Sequence, residues 1–441
     1  GYIDDFGTRT TFWRAGDGKT TVALGLMRAF ARRGLAVQPF KVGPDYIDPA
    51  FHAVATGRPS YNLDTWAMSE STLAALVSRD SESADLAIVE GVMGLFDGAA
   101  GAGQTAGGST ADLAALLGWP VVLVLDVAGQ TETAAAVASG CAHYREDVAL
   151  AGVILNNVAS RRHLDLIAPA FERVGIRLFG AVGRDDRLAL PERHLGLVQA
   201  VETIELDRRL DHFADAIEAV VDLDQVRDQA REQYLAVVPA AIFPPPGQRI
   251  ALARDRAFSF LYPHLVARWR DCGAEILPFS PLADQPPDPG ADIVWLPGGY
   301  PELHAGALAA ASRFHEGVRT LAARGVPIHG ECGGYMVLGQ GIEDQSGQRH
   351  AMIGLLALET SFAQRRLHLG YRRARLRSAC PLGAAGTEIM GHEFHYASVL
   401  SSGDEALVEC SDATGRVVTE SGARRGAVSG TFFHFIDRQQ A

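Results

Sequence analysis

An apolar run, a cysteine between glycines and the start of a helical pattern follow one another in Val326-Pro327-Ile328-His329-Gly330-Glu331-Cys332-Gly333-Gly334-Tyr335-Met336. A strand, a sharp turn and a helix in this order are typical of a nucleophile elbow, with Cys332 at the nucleophile position. Small flanking residues permit the strained turn, and backbone N–H groups at the helix start favour a thiolate and bind an oxyanion. A buried structural cysteine is the alternative. The stretch therefore predicts an α/β unit with a reactive thiol at a strand end.

A thiolate nucleophile needs a base, and downstream histidines are candidates. His434 lies in an apolar run, where an unpaired imidazole would be costly, and we prefer it as the base over a packed core histidine. His392 and His395 are also available, but their spacing is not that of HExxH, so we predict no zinc site there. Gly298 and Gly299 follow a predicted strand and would expose backbone N–H groups to an oxyanion or a substrate carboxylate, unless they form only a tight turn.

The first half of the chain contains a phosphate-binding pattern. Its residues Gly16-Asp17-Gly18-Lys19-Thr20-Thr21 open a helical stretch. Small residues let backbone N–H groups close on a phosphate, Lys19 would reach the terminal phosphates of a nucleotide, and Thr20 would ligate Mg²⁺. The complete pattern has glycine where Trp13 stands, so a glycine-rich helix start without a ligand is the alternative.

Two carboxylates in the first half are predicted metal ligands. Glu90 ends the predicted strand Leu86–Val89, and Asp97 follows in a glycine-rich loop. A carboxylate at such a strand end is where a P-loop fold places a second acid that organises Mg²⁺. A cap of the following helix is the alternative.

The run Lys41-Val42-Gly43-Pro44-Asp45-Tyr46-Ile47-Asp48-Pro49 follows another strand and is dense in charge and turn formers. Asp45 and Asp48 would hold metal or substrate, Lys41 would neutralise a phosphate or carboxylate, and Tyr46 would pack on a flat ligand; a rigid surface turn is the alternative. Asn62-Leu63-Asp64 is a less specific substrate-binding candidate. Asn156-Asn157, where Asn157 is our candidate for a nucleotide-base contact, fits a turn equally well.

A stiff linker divides the chain. Pro239 and Pro244-Pro245-Pro246-Gly247 are incompatible with a helix interior or a central strand, so we predict a first domain at 1–237, a linker at 238–248 and a second domain at 249–441. In both halves short Val/Ile/Leu runs alternate with amphipathic stretches, which favours two open α/β domains with mostly parallel sheets and sites at strand carboxyl ends. Predicted strands include Val121–Leu125, Ile293–Leu296 and Val326–His329, and predicted helices include Thr20–Arg33 and Gly306–Arg324.

Composition excludes several classes of protein. The 441 residues are 47% apolar and 21% charged, which is typical of a globular chain. The net charge of −12 disfavours nucleic acid and anionic membranes as partners. The sequence contains neither a membrane-spanning run nor a visible signal peptide. Five widely spaced cysteines without CxxC indicate a reducing compartment, and we predict a cytoplasmic location.

Together these stretches resemble the cobyrinic acid and hydrogenobyrinic acid a,c-diamide synthase family of corrinoid biosynthesis. The resemblance extends from about Gly16 to the C-terminus and includes Pro191–Leu197, Gly391–Tyr396 and Phe432–Asp437. It implies a P-loop domain that is similar to dethiobiotin synthetase and that would bind ATP, Mg²⁺ and, in this family, the corrinoid. A glutamine amidotransferase domain of the triad type would follow it.

The resemblance also implies residue roles. Cys332 would be the nucleophile and His434 its base, while Asp45, Tyr46, Glu90 and Asp97 would serve metal binding and carboxylate activation. The expected reaction is ATP- and glutamine-dependent amidation of the a and c side chains of hydrogenobyrinic or cobyrinic acid through acyl phosphates. Glu331 is a further candidate for glutamine binding.

Two departures from the family pattern and two alternative functions stay open. Ile436 stands where many such amidotransferases have the orienting Glu, so the third member of the constellation is unassigned, and Gly1–Ala15 lacks the usual apolar first strand. Cobyric acid synthase, which amidates other corrinoid carboxylates, is the nearest alternative; a non-enzymatic P-loop switch with a silent amidotransferase domain is another. The sequence does not determine the oligomeric state, and a homodimer is one possibility. It also does not determine whether the corrin contains cobalt, although overall likeness to the family favours the cobalt-free substrate.

Overall fold

The structure is a computed structural model that describes residues 2–5, 18–79, 83–188, 200–230 and 244–439. The chain divides into two compact units. The first comprises residues 1–240 without two short segments, Ala67–Ser69 and Ala100–Gln104, and the second comprises residues 241–441 together with those segments. Gly16 and most of the predicted linker lie outside the described residues. None of the helices in the described ranges is long and apolar enough to cross a lipid bilayer.

The described strands of the first unit form one parallel sheet. They are β1 (Tyr2–Asp5), β2 (Val37–Val42), β3 (Tyr61–Leu63), β4 (Leu86–Glu90), β5 (Val121–Asp126), β6 (Leu150–Val158) and β7 (Leu178–Gly183). The helices are α1 (Lys19–Arg32), α2 (Asp48–Thr56), α3 (Glu70–Arg79), α4 (Thr110–Leu117), α5 (Glu132–Tyr144), α6 (Arg161–Val174), α7 (Ala200–Glu218) and α8 (Leu223–Arg227).

The strand order β3-β2-β4-β1-β5-β6-β7 is that of an open, doubly wound sheet. Gly1–Ala15 carries no apolar strand pattern, yet Tyr2–Asp5 pairs with both β4 and β5 in the centre of the sheet. Because the strands are parallel, the loops after β2, β4 and β6 gather at one edge with the start of α1. This edge is where the predicted phosphate, metal and substrate residues were expected.

Helix α1 packs against α7 on one face of this sheet. Val22, Leu26 and Phe30 are buried in a core cluster together with residues of α7. A side chain at Gly25 would lie 2.6 Å from Ile217 and 3.0 Å from the carbonyl of Phe213, so glycine permits the close approach of the two helices. The packing fixes the axis of α1 and thereby the position of the phosphate-binding residues at its start.

The second unit contains three sheets in its described residues. Its strands are β8 (Arg249–Ala253), β9 (Glu275–Phe279), β10 (Ile293–Leu296), β11 (Ile328–Glu331), β12 (Gly341–Glu343), β13 (Arg349–Ala351), β14 (Glu359–Ser361), β15 (His368–Leu376), β16 (Glu388–His395), β17 (Ser398–Ser401), β18 (Val408–Ser411), β19 (Ala423–Arg425), β20 (Val428–Thr431) and β21 (Phe433–Arg438). The helices are α9 (Pro263–Asp271), α10 (Ala305–Ala310), α11 (Ser312–Ala323) and α12 (Gly333–Leu338).

The main sheet of the second unit has the order β19-β20-β11-β10-β8-β9 and is parallel except for the β19–β20 pair. A second sheet, β18-β15-β16-β21, is antiparallel, and the third has the order β13-β12-β14-β17. The α/β prediction with mostly parallel main sheets is confirmed, but the antiparallel sheets were not predicted. One predicted helix, Gly306–Arg324, is instead α10 and α11, which are separated at Ala311 (φ −76°, ψ 72°).

Candidate functional site

Cys332 occupies a strained turn between β11 and α12. Its backbone has φ 47° and ψ −107°, a positive φ that residues other than glycine seldom adopt. Side chains at the neighbouring glycines would collide with backbone: a Cβ at Gly330 would lie 2.6 Å from the carbonyl carbon of Gly334. The amide of Cys332 donates to Thr431 O over 2.7 Å, which ties the turn to the end of β20. The predicted elbow is therefore present, with the thiol at the carboxyl end of a central strand.

His434 faces Cys332 across Gly298. A Cβ placed on Gly298 would overlap Nε2 of His434 and lie 3.2 Å from Cβ of Cys332. Gly298 therefore borders both predicted catalytic residues, and any side chain at this position would intrude on both of them. The next residue, Gly299, packs its backbone on the other side of the turn, because a Cβ at Gly333 would lie 3.1 Å from Gly299 N.

The environment keeps the thiol and the imidazole neutral at rest. Burial raises the pKa of Cys332 far above its usual range and the charge of Glu302 adds to this, whereas the backbone N–H groups of Gly333 and Gly299 oppose it. Burial lowers the pKa of His434 to about 3, with help from His392 and His395. A neutral imidazole can accept the thiol proton, so the pair can form a thiolate as the thiol attacks.

The motif Gly391–Tyr396 forms a wall of this site on β16. His392 lies opposite His434 in the β16–β21 ladder, and Phe394 O accepts a weak hydrogen bond from Sγ of Cys332 over 3.5 Å. Glu393 on the same strand is buried, with Oε2 2.6 Å from Nε of Arg372 and Oε1 2.8 Å from Nε2 of His395.

Glu393 is fully engaged by these partners. Burial favours its neutral form, but His395 and Arg372 together lower its pKa to about 2. His368, Glu393 and His395 are close enough to hold an ion, yet the guanidinium of Arg372 already neutralises the carboxylate. The cluster is therefore an ion-pair network beside the predicted catalytic pair Cys332 and His434.

Two acids near the elbow have structural partners. Oε1 of Glu331 accepts from the amide of Phe435 over 2.9 Å, and the side chain is fully buried. Glu331 therefore anchors β21 next to His434, and a role in glutamine binding stays a prediction. Asp437 accepts from the amide of Ser69 over 3.3 Å and lies 3.6 Å from Arg268, and Ile436 is buried. The third member of the constellation stays unassigned.

In the first unit, Gly18 of the predicted phosphate-binding stretch is the N-cap of α1. Its φ is +83°, and a side chain there would overlap the amide of Asn156. Lys19 begins α1, and its ammonium donates to Met93 O over 3.2 Å in the loop after β4. The hydroxyl of Thr21 donates to Leu188 O over 2.9 Å and is therefore engaged outside the loop after β4.

Glu90 is the centre of a buried polar cluster. Its Oε1 accepts from Thr20 Oγ1 over 2.7 Å and lies 3.1 Å from Nζ of Lys41, and its Oε2 lies 2.6 Å from Nε2 of His52. His52 contacts the hydroxyl of Ser60 through its other nitrogen, over 3.0 Å. Burial opposes ionisation, yet Lys41 and His52 hold the pKa of Glu90 well below its usual range. The carboxylate is charged and lies against the predicted magnesium ligand Thr20.

Lys41 links this cluster to the loop after β2. Its ammonium lies 2.8 Å from Oδ2 of Asp48 and donates to Gly91 O over 3.0 Å. Burial would lower the pKa of Lys41, but Asp48, Glu90 and Asp45 raise it above its usual value. Asp48 is itself buried, so its negative charge balances Lys41 within the protein.

The remaining predicted substrate residues shape the same loop. Oδ1 of Asp45 accepts from the amides of Ile47 and Asp48, and the Asn62 amide donates to Gly43 O and Asp45 O over 2.8 and 2.6 Å. The Tyr46 side chain is 9% exposed and lies in this loop. The side chain of Leu63 has no exposed surface, and its carbonyl accepts from Gly43 N. Leu63 therefore packs in the framework of this loop, and its role as a substrate contact stays a prediction.

Asp97 and Asn157 are associated with two different strands that reach this edge, β4 and β6. Asp97 is exposed and accepts from the amide of Gly94 over 3.1 Å. Asn157 has a positive φ of 58° and donates to Oδ2 of Asp126 over 2.9 Å. Asp97 lies in the loop after β4, and Asn157 is the second-last residue of β6.

Sequence reasoning missed several members of both sites. His52 lies four residues after Asp48 on α2, so the i, i+4 spacing was a usable signal that both face one side of the helix. Asn156 lies against Gly18, because a Cβ at Gly18 would overlap the Asn156 amide. Nothing in the sequence connects these two positions. Nothing in the sequence indicates a role for Arg372, because its pairing with Glu393 depends on the register between β15 and β16.

A nucleotide-binding unit and a thiol-containing amidotransferase unit define the class of protein. Residues 14–198 match the CobQ/CobB/MinD/ParA nucleotide binding domain, and residues 249–441 match the CobB/CobQ-like glutamine amidotransferase domain. The chain is 56% identical over 435 residues to the hydrogenobyrinate a,c-diamide synthase of Mesorhizobium japonicum, covering 97% of this chain and 98% of the relative. The corresponding enzyme of Rhodobacter capsulatus is 55% identical over 422 residues, with 96% of each chain covered. The chain belongs to the hydrogenobyrinate a,c-diamide synthase family.

Proposed function

We propose that this protein converts hydrogenobyrinic acid to its a,c-diamide, with ATP to activate each carboxylate and glutamine to supply the nitrogen. The observation that supports the proposal is that Cys332 and His434 both lie next to Gly298, because a thiol and an imidazole placed in this way can release ammonia from an amide. The relatives described above are hydrogenobyrinate a,c-diamide synthases, so we take the cobalt-free acid as the first substrate to test.

In the second unit, the sulfur of Cys332 attacks the side-chain amide of glutamine while its proton passes to His434. The oxyanion that forms would accept hydrogen bonds from backbone N–H groups at Gly299 and Gly333, both directed at the sulfur. His434 then returns the proton to the departing nitrogen, which leaves as ammonia. Water cleaves the thioester and releases glutamate, which restores the thiol.

In the first unit, a carboxylate of the corrinoid would attack the γ-phosphorus of ATP. The bond to the β-phosphate oxygen breaks, ADP leaves, and an acyl phosphate remains. Ammonia attacks the acyl carbon, and phosphate and a proton leave with formation of the amide. Lys19 would neutralise the phosphates as charge moves, and Gly18 lets the backbone approach them.

The residues present fit a magnesium ion beside the nucleotide. Thr20 and Glu90 form one hydrogen-bonded pair at the start of α1, and the exposed Asp97 lies in the loop after β4. Thr20 and Asp97 would hold the ion, with Glu90 orienting the Thr20 hydroxyl; Mg²⁺ would supply charge neutralisation of the phosphates. Since Asp48 is paired with Lys41, we propose that it balances charge behind the site and does not ligate the ion.

The test is mass spectrometry of the corrinoid after incubation of the purified chain with ATP, Mg²⁺ and glutamine. Hydrogenobyrinic acid and cobyrinic acid are offered separately. We expect a diamide from hydrogenobyrinic acid, and preference for cobyrinic acid would reassign the substrate. Product from neither acid, or amidation only of a substrate already carrying the a and c amides, would overturn the proposal and favour the cobyric acid synthase alternative.

A further inference from the structure

Glu302 lies in a turn that packs on the nucleophile helix. The 3₁₀ turn Pro301–His304 contacts α12, whose N-cap is Cys332. A Cβ at Gly333 would lie 2.8 Å from Cδ of Pro301, so the residue before Glu302 is seated directly against the residue after the nucleophile. The turn is held from behind, where Phe260 N donates to Gly298 O over 2.9 Å and the rings of Phe260 and Tyr300 meet edge to face at 4.9 Å.

The carboxyl groups of Glu302 and Glu393 both raise the pKa of the Cys332 thiol, and of these two only Glu393 has ion-pair partners among the described residues. Glu393 is paired with Arg372 and His395. Glu302 has no ion-pair partner among the residues that the structure describes, and a backbone hydrogen bond from its own amide and the charge of Arg365 only partly offset its burial. Burial raises the pKa of Glu302 to about 7, so its charged form is costly while the site is empty.

A substrate cation would remove this cost. Glutamine carries an α-ammonium group, and a largely covered carboxylate on a turn that packs against the nucleophile helix is a suitable acceptor, because a charge-assisted hydrogen bond is strong where little water is present. Glu302 is also partly exposed, so a ligand that enters the site can reach it. Leu303, the next residue, is exposed on the same turn.

We propose that the Glu302 carboxylate binds the α-ammonium group of the glutamine donor and thereby selects glutamine over amides that lack this group. The proposal rests on the proposed function, since it names the donor of the same site. Glu302 would be a specificity-determining residue of the glutaminase step, and corrinoid amidation from free ammonium would not need it.

The test compares glutamine with glutaramate, which has the same side-chain amide without the α-amino group. In the full chain, we expect Glu302→Gln to raise KM for glutamine about 30-fold, the size of a lost hydrogen bond to a charged group, with kcat changed little. Hydrolysis of glutaramate should be unchanged, so the preference of the wild type for glutamine should fall by the same factor. Glu316→Gln, a change at an exposed site on α11, is the matched control.

Three outcomes separate the possibilities. Equal loss with both amides would show that Glu302 only supports the fold of the site, and unchanged kinetics would show that it does not contact the donor; either overturns the inference. Ammonium-dependent amidation of the corrinoid is measured in the same preparations. If the wild type hydrolyses glutamine but makes no diamide from either nitrogen source, the proposed function fails while the inference about Glu302 stands.

Discussion

The hydroxyl of Thr20, at the start of α1, donates a hydrogen bond to Oε1 of Glu90, at the end of β4, over 2.7 Å. The two residues are 70 positions apart in the chain and meet because β4 and the first turn of α1 reach the same edge of the parallel sheet. This bond connects the predicted phosphate-binding turn to a buried charge cluster that includes Lys41 and His52.

Replacing Glu90 by Gln should disable the nucleotide-dependent half of the reaction. The change leaves Lys41 with a single carboxylate and weakens the orientation of the Thr20 hydroxyl, so we expect diamide synthesis to fall at least about 100-fold. The loss should be the same with glutamine or ammonium as nitrogen source, which product mass spectrometry measures. Breaking the buried ion pair should also cost about 3 kcal/mol of unfolding free energy.

Glutaminase activity of the Glu90→Gln chain is the internal control, because Cys332 and His434 belong to the other unit. Glu172→Gln, at an exposed position of α6, controls for the loss of one acidic group. Synthesis at the wild-type rate in the Glu90 variant would remove this residue from the site.

Replacing Gly298 by Ala should disable the other half. The added methyl group would overlap Nε2 of His434, so the imidazole must move away from the thiol. A displacement of about 1 Å in a catalytic group costs roughly 100-fold, and we expect glutaminase activity to fall at least that much while ammonium-dependent synthesis persists.

Gly306→Ala is the matched control for this change. A Cβ at Gly306 makes an ordinary contact at 3.8 Å with His350, and α10 is helical there, so the alanine should be tolerated. If Gly298→Ala hydrolyses glutamine as fast as Gly306→Ala does, the imidazole and the thiol do not depend on the space at Gly298.

The free energy of unfolding of the second unit should fall in mild acid, because a buried histidine that stays neutral in the folded state becomes protonated when the unit unfolds. Burial lowers the pKa of His264 to about 4, and its Nε2 lies 2.8 Å from Ile436 O. Because the unfolded state binds this proton near pH 6.5 and the folded state does not, the stability is complete above pH 6.5 and is lost as the pH falls toward 4.

Urea unfolding at pH 7 and pH 5 measures this effect. His264→Gln keeps a donor for Ile436 O but does not titrate, so we expect the variant to lose about 2 kcal/mol less than the wild type over this interval. Equal losses in the two chains would show that His264 does not contribute to the acid sensitivity.

Features that depend on local order could be predicted from the sequence. The elbow at Cys332 follows from a strand, glycines and a helix start that are contiguous, and Glu90 could be placed at a strand end because the run before it is apolar. The two-unit α/β architecture follows for the same reason, since buried parallel strands read as short apolar runs.

Features that depend on register could not be predicted. The contact of His52 with Glu90 and that of Arg372 with Glu393 join residues from different elements, and only the folded arrangement determines which side chains meet. The burial of Leu63 and Glu331 could not be predicted, because each residue ends a short strand and the sequence around it does not indicate which side of that strand is covered. The break at Ala311 lies between two helical stretches that share one continuous pattern.

We propose that nitrogen released at Cys332 is used in a separate, nucleotide-dependent reaction on the corrinoid. The decisive measurement uses Cys332→Ser, with the diamide quantified by mass spectrometry in the presence of ATP, Mg²⁺ and hydrogenobyrinic acid. We predict that synthesis from glutamine falls at least about 1,000-fold while synthesis from added ammonium stays at the wild-type rate. Loss of both activities in a chain that remains folded, or continued use of glutamine, would contradict the account.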